Sequence, residues 1–163
     1  MKAFWSLVVA LILSGVPALQ AELPSKKVLT LGLARKLVAA AEAEAKKRGA
    51  TVVIAVVDDG GQLILLERLD DTQVASVEVA IGKARTAAIF RRPSKLFEEQ
   101  VKNGRIAALA LPGATPLQGG IPITVDGKVI GAISASGNTP QEDEEIALAG
   151  AAVTAKAVQE EGK

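Results

Sequence analysis

Leu117-Gln-Gly-Gly-Ile-Pro-Ile-Thr-Val-Asp-Gly-Lys-Val-Ile-Gly-Ala-Ile-Ser-Ala-Ser-Gly-Asn138 is the stretch that decides the fold. Two runs of strand-forming residues flank Asp126-Gly127, a dipeptide that accepts positive φ at little steric cost and so favours a two-residue primed turn. The stretch therefore reads as a β-hairpin. A two-residue turn would set Val125 opposite Lys128, Ile123 opposite Ile130 and Ile121 opposite Ala132, with one apolar row on a single sheet face. Glycine stands at both ends. Gly119-Gly120 before the hairpin and Ser134 to Asn138 after it would offer backbone amides and small hydroxyls to a ligand, or would simply mark two tight bends.

The chain has 163 residues, enough for one domain with a sizeable core. Its first residues have another use. Lys2 supplies a positive start, Ala3 to Leu13 an uncharged apolar run, and Ser14 to Ala21 small residues with Pro17. That layout is the one expected of a secretory signal peptide, its apolar run short for a membrane span, with cleavage after Ala18 or Ala21 and an uncleaved anchor as the alternative. The organisation expected is residues 1–21 as leader, 22–29 as a surface lead-in containing Pro24, and 30–160 as one domain. The mature chain would be periplasmic or secreted, with no stable membrane insertion.

Loss of Lys2 leaves eighteen charges of each sign, a formal net charge of zero. It leaves no His, Cys, Met, Tyr or Trp either, and Phe90 and Phe97 as the aromatics. A neutral chain without a basic stripe or stacking platform argues against nucleic-acid binding. Without cysteine, stability must come from packing or assembly. The missing side chains remove ordinary zinc and copper sites, Ser-His-Asp triads, thiol nucleophiles and iron–sulfur ligation. Asp58-Asp59-Gly60-Gly61 lacks the spacing of a calcium loop and reads as a turn, so no metal site is expected. Acid or base chemistry falls to Asp, Glu or Lys.

Thr30 is placed to cap a helix that runs to Arg48 and stops at Gly49, with Leu33, Leu37, Val38, Ala41 and Ala45 on its apolar stripe. Thr51 to Val57 is apolar on both alternating faces, the pattern of a strand covered on both sides, and Gln62 to Leu69 returns beside it. Asp70, Asp71 and Thr72 offer caps for a helix from Gln73 to Phe90. Its seam is Val74, Val77, Ile81, Ala84 and Ala88, and its polar side Glu78, Lys83, Arg85 and Thr86. Gly82 within it suggests a second backbone passing close. Pro93 breaks the chain, Ser94 caps a short helix to Lys102, and Ile106 to Leu111 reads as a weak strand. Thr139-Pro140-Gln141-Glu142 is a capping box with proline at the first helical position, opening a helix expected to reach Glu160. Two hairpins require antiparallel pairing, so the class is α+β, helices against an antiparallel sheet.

Asp58 with Gly61, Arg68, Gly82-Lys83-Ala84-Arg85-Thr86-Ala87, Arg92-Pro93-Ser94, Pro116 with Gly119-Gly120-Ile121-Pro122, and Gly131 to Gly137 with Asp143 form an ordered set. In these motifs the chain resembles the GlcG/HbpS-like haem-binding domain family, from about Leu29 to Val158. The resemblance implies a profilin-like fold with a sheet of about five strands, homo-oligomeric assembly, and binding of haem, another tetrapyrrole such as a corrinoid, or another small molecule. Haem iron is normally held by His, Cys, Met or Tyr, so the mature chain has no strong axial ligand. Apolar walls and Arg or Lys links to the propionates would have to serve.

Three functions follow. The first is an exported, non-catalytic binder of haem or a related small ligand. The second is an enzyme or binder for an anionic organic metabolite. In that reading Lys83 and Arg68 hold a carboxylate beside Thr86, Gly119, Gly120 and Ile121 supply backbone donors, Ser136 and Asn138 after the hairpin are further ligand-binding candidates, and Asp143 or Glu78 moves protons. The third is a purely structural homo-oligomer built on its alanine-rich helices.

Overall fold

The computed structural model describes residues 25–161, so the expected leader at 1–21 and the start of the expected lead-in lie outside the described residues. The chain runs α1 (Leu31–Arg48), β1 (Val53–Asp58), β2 (Leu63–Arg68), α2 (Ser76–Ile89), α3 (Lys95–Lys102), a 3-10 helix (Ile106–Ala110), β3 (Gly120–Val125), β4 (Lys128–Ser136), α4 (Pro140–Ala152) and α5 (Thr154–Glu161). The strands form one antiparallel sheet in the order β2-β1-β4-β3. This is the expected α+β class, with four strands rather than about five. Ile106 to Ala110 makes the difference: its alanines bring little side chain to a pleated surface, and the segment coils beside α3 instead of pairing.

β1 and β4 occupy the middle of the sheet, which is why both are apolar on both faces. One face carries Ile54, Val56, Ile121, Ile123 and Ile133 against Leu33, Leu37 and Ala41 of α1 and Ile146 and Ala147 of α4. The opposite face is built from small residues: Val53, Ala55, Val57 and Ala132 meet Ala80, Ala84 and Ala87 of α2. Alanine against alanine lets helix and sheet backbones approach closely enough for Ser134 Oγ to donate to the Ala80 carbonyl at 2.6 Å.

Local signals explain most boundaries. Thr30 Oγ1 accepts from the Leu33 amide, and Gly49 ends α1 at φ 66° in the left-handed region. Asp126 and Gly127 take φ 50° and 73°, the primed turn expected of this dipeptide. The register beyond it differs. Val125 faces Lys128 and Thr124 faces Val129, but Ile123 then faces Gly131 and Ile121 faces Ile133, because a bulge passes over Ile130. Gly131 lies against β1, where a Cβ would run into the Val57 carbonyl, and the shift brings this glycine opposite Ile123.

α2 begins three residues later than its acidic lead suggests, at Ser76 after Ala75, with no side-chain cap. Val74 consequently lies outside the helix and is 73% exposed rather than part of the seam. Lys83 and Thr86 are buried rather than on a polar face. Ser94 precedes α3 without capping it, since its hydroxyl faces the β3 approach instead. The last helix is interrupted at Val153 and continues as α5. Within the lead-in, Lys26 and Lys27 pair with Asp59 and Asp126 on the surface, while Leu29 is buried in the core.

Candidate functional site

Lys83 is fixed first by α2. The helix lies flat on the sheet through its alanines, so a long side chain on this stripe is largely shut off from bulk water, and Lys83 is 4% exposed. A lysine buried this way needs a counter-charge. Asp143 supplies it from the first turn of α4. Lys83 Nζ donates to Asp143 Oδ2 at 2.7 Å and to the Ala135 carbonyl at 3.2 Å. Asp143 Oδ1 accepts from the Asn138 amide at 3.1 Å, and Asp143 itself is 2% exposed. The capping box sets that geometry: Thr139 Oγ1 accepts from the Glu142 amide and Glu142 reaches back to Thr139, holding Asp143 at the next position facing inward.

Burial pushes the Asp143 carboxyl above the ordinary aspartate range, against the opposing pull of Lys83 and the Asn138 and Gly137 amides. The approach to β3 crosses directly over the ion pair. Gly119 takes φ 124°, and a Cβ there would lie 3.0 Å from Lys83 Nζ and 3.1 Å from Asp143 Cβ. A Cβ on Gly120 would run into the Lys83 carbonyl. Glycine at both positions lets the backbone close the site. Ser94 ties it down, accepting from the Gly120 amide at 2.8 Å and donating to the Leu117 carbonyl at 2.6 Å.

Beside the pair opens a pocket of about 220 Å³. Its walls are the first turns of α2 (Ser76, Val79, Lys83), Glu98 of α3, Leu117-Gln118, and Ser136 to Asn138 with Asp143. Burial works against the charge of Glu98, but Lys102 and the Gln118 amide outweigh it and hold the carboxyl below its usual range. Gln118 also donates from Nε2 to Glu144, which pairs with Lys95 at 2.9 Å.

The structure brings Lys83, Gly119, Gly120, Ser136, Asn138 and Asp143 together. It does not bring the remaining candidates to this pocket. Arg68 ends β2 and lines a separate depression with Glu42 and Asp70. Glu78 is exposed on α2, outside the pocket wall. Thr86 is structural, donating to the Gly82 carbonyl at 2.8 Å and accepting from the Thr115 amide at 2.7 Å; what Gly82 makes room for is the Thr115 side chain rather than the second backbone expected there. Ile121 belongs to the core under α1 and α4. Sequence reasoning missed Ser76, Glu98 and Gln118. Ser76 stands seven residues before Lys83, hence on the same helix stripe, and that spacing was the available signal.

A second depression, about 740 Å³, lies between the lead-in and the β3–β4 turn and carries Lys26, Lys27, Arg91 and Lys128. Among the described residues no helix is long and apolar enough to cross a membrane.

Comparison with known proteins agrees with this architecture. Residues 29–152 match the family described as haem degrading protein HbpS-like. Protein GlcG of Escherichia coli is 45% identical over 112 residues, which cover 69% of this chain and 84% of that protein. The crystal structure of HbpS superposes with a TM-score of 0.76 at 34% identity, covering 85% of this chain and 98% of that one. A PduOC:heme complex superposes with a TM-score of 0.71 at 25% identity, covering 77% and 94%. By sequence and by fold alike, the chain belongs to the HbpS-like family, with GlcG among its relatives.

Proposed function

We propose that this chain is an exported, non-catalytic small-ligand-binding protein whose ligand sits in the pocket beside Lys83 and Asp143. The observation that carries this is the buried ion pair opening onto a small pocket of mixed polar and apolar lining. A pair so fully removed from water is a weak source of stability, and perturbed titratable groups in a cleft mark binding sites. Absence of catalysis is supported by how the proton-moving candidates are held. Asp143 is committed to Lys83 and to backbone amides, and Glu78 stands on the solvent side. The pocket volume, about 220 Å³, is below the roughly 300 Å³ at which drug-sized ligands begin, so it suits a compact molecule.

A second reading, haem or another tetrapyrrole, is supported by the family's description and by the likeness to a protein solved with haem. Direct ligation of haem iron does not fit the donor set, because residues 25–161 contain no His, Cys, Met or Tyr. The macrocycle does not fit the Lys83 pocket either. The larger depression has the volume and, in Arg91 and Lys128 beside the Lys26–Asp59 and Lys27–Asp126 pairs, cations that propionates would need. Export rests on the leader at residues 1–21. Assembly into a homo-oligomer belongs to the same proposal, supported by exposed Ile106 and Leu109, and light scattering of the purified chain tests it.

Ligand-induced melting shifts test the two ligand classes together. On the first reading, compact organic acids raise the melting temperature of the wild type and leave Lys83→Met unmoved, while haemin shows no shifted Soret band. A saturable Soret shift that survives Lys83→Met moves the ligand to the second site. No shift with either class would overturn the proposal.

A further inference from the structure

The Ser76 hydroxyl is buried, 1% exposed for the residue, in the wall of the Lys83 pocket, and its Oγ has no hydrogen-bond partner among the described residues. An orphaned hydroxyl in an interior is costly and uncommon. The charged groups around the pocket, by contrast, all have partners. Asp143 accepts from Lys83 and Asn138, Glu98 from Lys102 and Gln118, and Glu144 from Lys95 and Gln118. What remains unspent is donor capacity. Lys83 uses two N–H groups, on Asp143 and Ala135, of the three an ammonium carries.

The two donors share a line. Residues seven apart on a helix lie on one face, about 10.5 Å apart along the axis, and a helical side chain leans toward the N-terminus. The Lys83 stem therefore points back along the stripe that Ser76 begins. Ser76 also opens α2 at the pocket wall, and although the Ser76 and Val77 amides bond to the Gln73 and Val74 carbonyls, the positive end of the helix dipole lies beside the same space. A group placed there needs an acceptor for two donors and gains from one negative charge. The walls limit that charge to one. Lys83 is balanced by Asp143 and Glu98 by Lys102, so the net attraction left for a ligand is the partial positive charge of the helix end, roughly half a charge, and a second negative charge would meet Asp143 and Glu98 with nothing to offset it.

We infer that the pocket takes the carboxylate of a short aliphatic monoacid, held by the Ser76 hydroxyl and the third N–H of Lys83. At about 30 Å³ per water the cavity has the volume of about seven waters, room for a carboxylate and a short chain against Val79 and Leu117. The inference rests on the binding-protein reading above and names the ligand class of that site.

The test is an amide NMR titration of the full mature chain with sodium propionate, acetamide as the neutral counterpart, and succinate and inorganic phosphate as dianions. Propionate is expected to shift the amides of Ser76, Val79 and Asn138 saturably, with at least tenfold weaker binding in Ser76→Ala and the other probes ineffective. Ser76→Ala removes an unpaired hydroxyl, so it should fold as well as the wild type, and Arg68→Ala should bind propionate unchanged. Equal binding of acetamide or phosphate at these amides, or unaltered propionate binding by Ser76→Ala, would overturn the inference while leaving a small-ligand site in place. No probe shifting these amides would overturn the inference, and the melting-shift series then decides the broader reading separately.

Discussion

Lys83 and Asp143 test at the scale of single residues how a buried charge is tolerated. Removing the ammonium alone leaves a carboxylate in an interior with little water, a loss of about 3–5 kcal/mol. Lys83→Met should therefore destabilise by that amount in urea unfolding, and adding Asp143→Asn should restore most of it. Two additive losses would mean that the pair is not coupled. The Asp143 carboxyl also fixes the sign of a pH effect. Burial raises it above its ordinary 3.8, so between 3.8 and the higher folded value the native chain keeps a proton that the unfolded chain has released. Its contribution to stability is largest below that window and falls as pH rises through it. The wild-type profile minus that of Asp143→Asn should slope downward there; a flat or rising difference contradicts the burial argument. Neither residue's partner was legible in the sequence. Lys83 reads as part of a polar helix face and Asp143 as a favourable charge in a first turn, because what buries both is the close packing of α2 on the sheet, a contact between segments far apart in the chain.

The elements divide by how local their causes are. The first helix, its caps, the Asp126-Gly127 turn and the Thr139 capping box were readable because each is decided within four or five residues. The start of α2, the coiling of Ile106 to Ala110 and the bulge at Ile130 were not, since each depends on what lies alongside. Thr72 illustrates the point: it looks like a cap, yet its hydroxyl is buried without a partner before the helix begins. The capping box makes its own forecast. Thr139→Ala should cost about 1 kcal/mol in chemical denaturation. The Thr139 hydroxyl, above all, holds the Glu142 carboxyl below its usual 4.5, so this cap's contribution is present above 4.5 and lost as pH falls through the lower folded value. Thr139→Ala should correspondingly be less acid-sensitive at this helix end; an unchanged acid profile would show that Glu142 adds nothing.

Over the whole molecule, the sheet separates two unlike layers. The side under α1 and α4 holds the large aliphatics and supplies the stability; the side under α2 is lined with alanine and serine and leaves space for the pocket at its end. Ile133, fully buried beneath both helices, should lose about 2–5 kcal/mol as alanine, while Val74→Ala, on an exposed turn, should stay within about 0.5 kcal/mol of the wild type. Similar losses at both positions would contradict this division of labour. The fold class was legible because two hairpins force antiparallel pairing, and the family because its motifs are glycines and breaks that recur in order. The position of the ligand was not, because the pocket exists only where α2, α3, the β3 approach and α4 meet.

Where a bound ligand lies is therefore the most direct test: difference density in a crystal of the chain from residue 22 onward, grown with the compound that raises its melting temperature most. The result expected is density in the Lys83 pocket, within hydrogen-bond distance of Lys83 or Ser76. Density over Lys26, Arg91 and Lys128, with the Lys83 pocket holding water alone, would contradict the account.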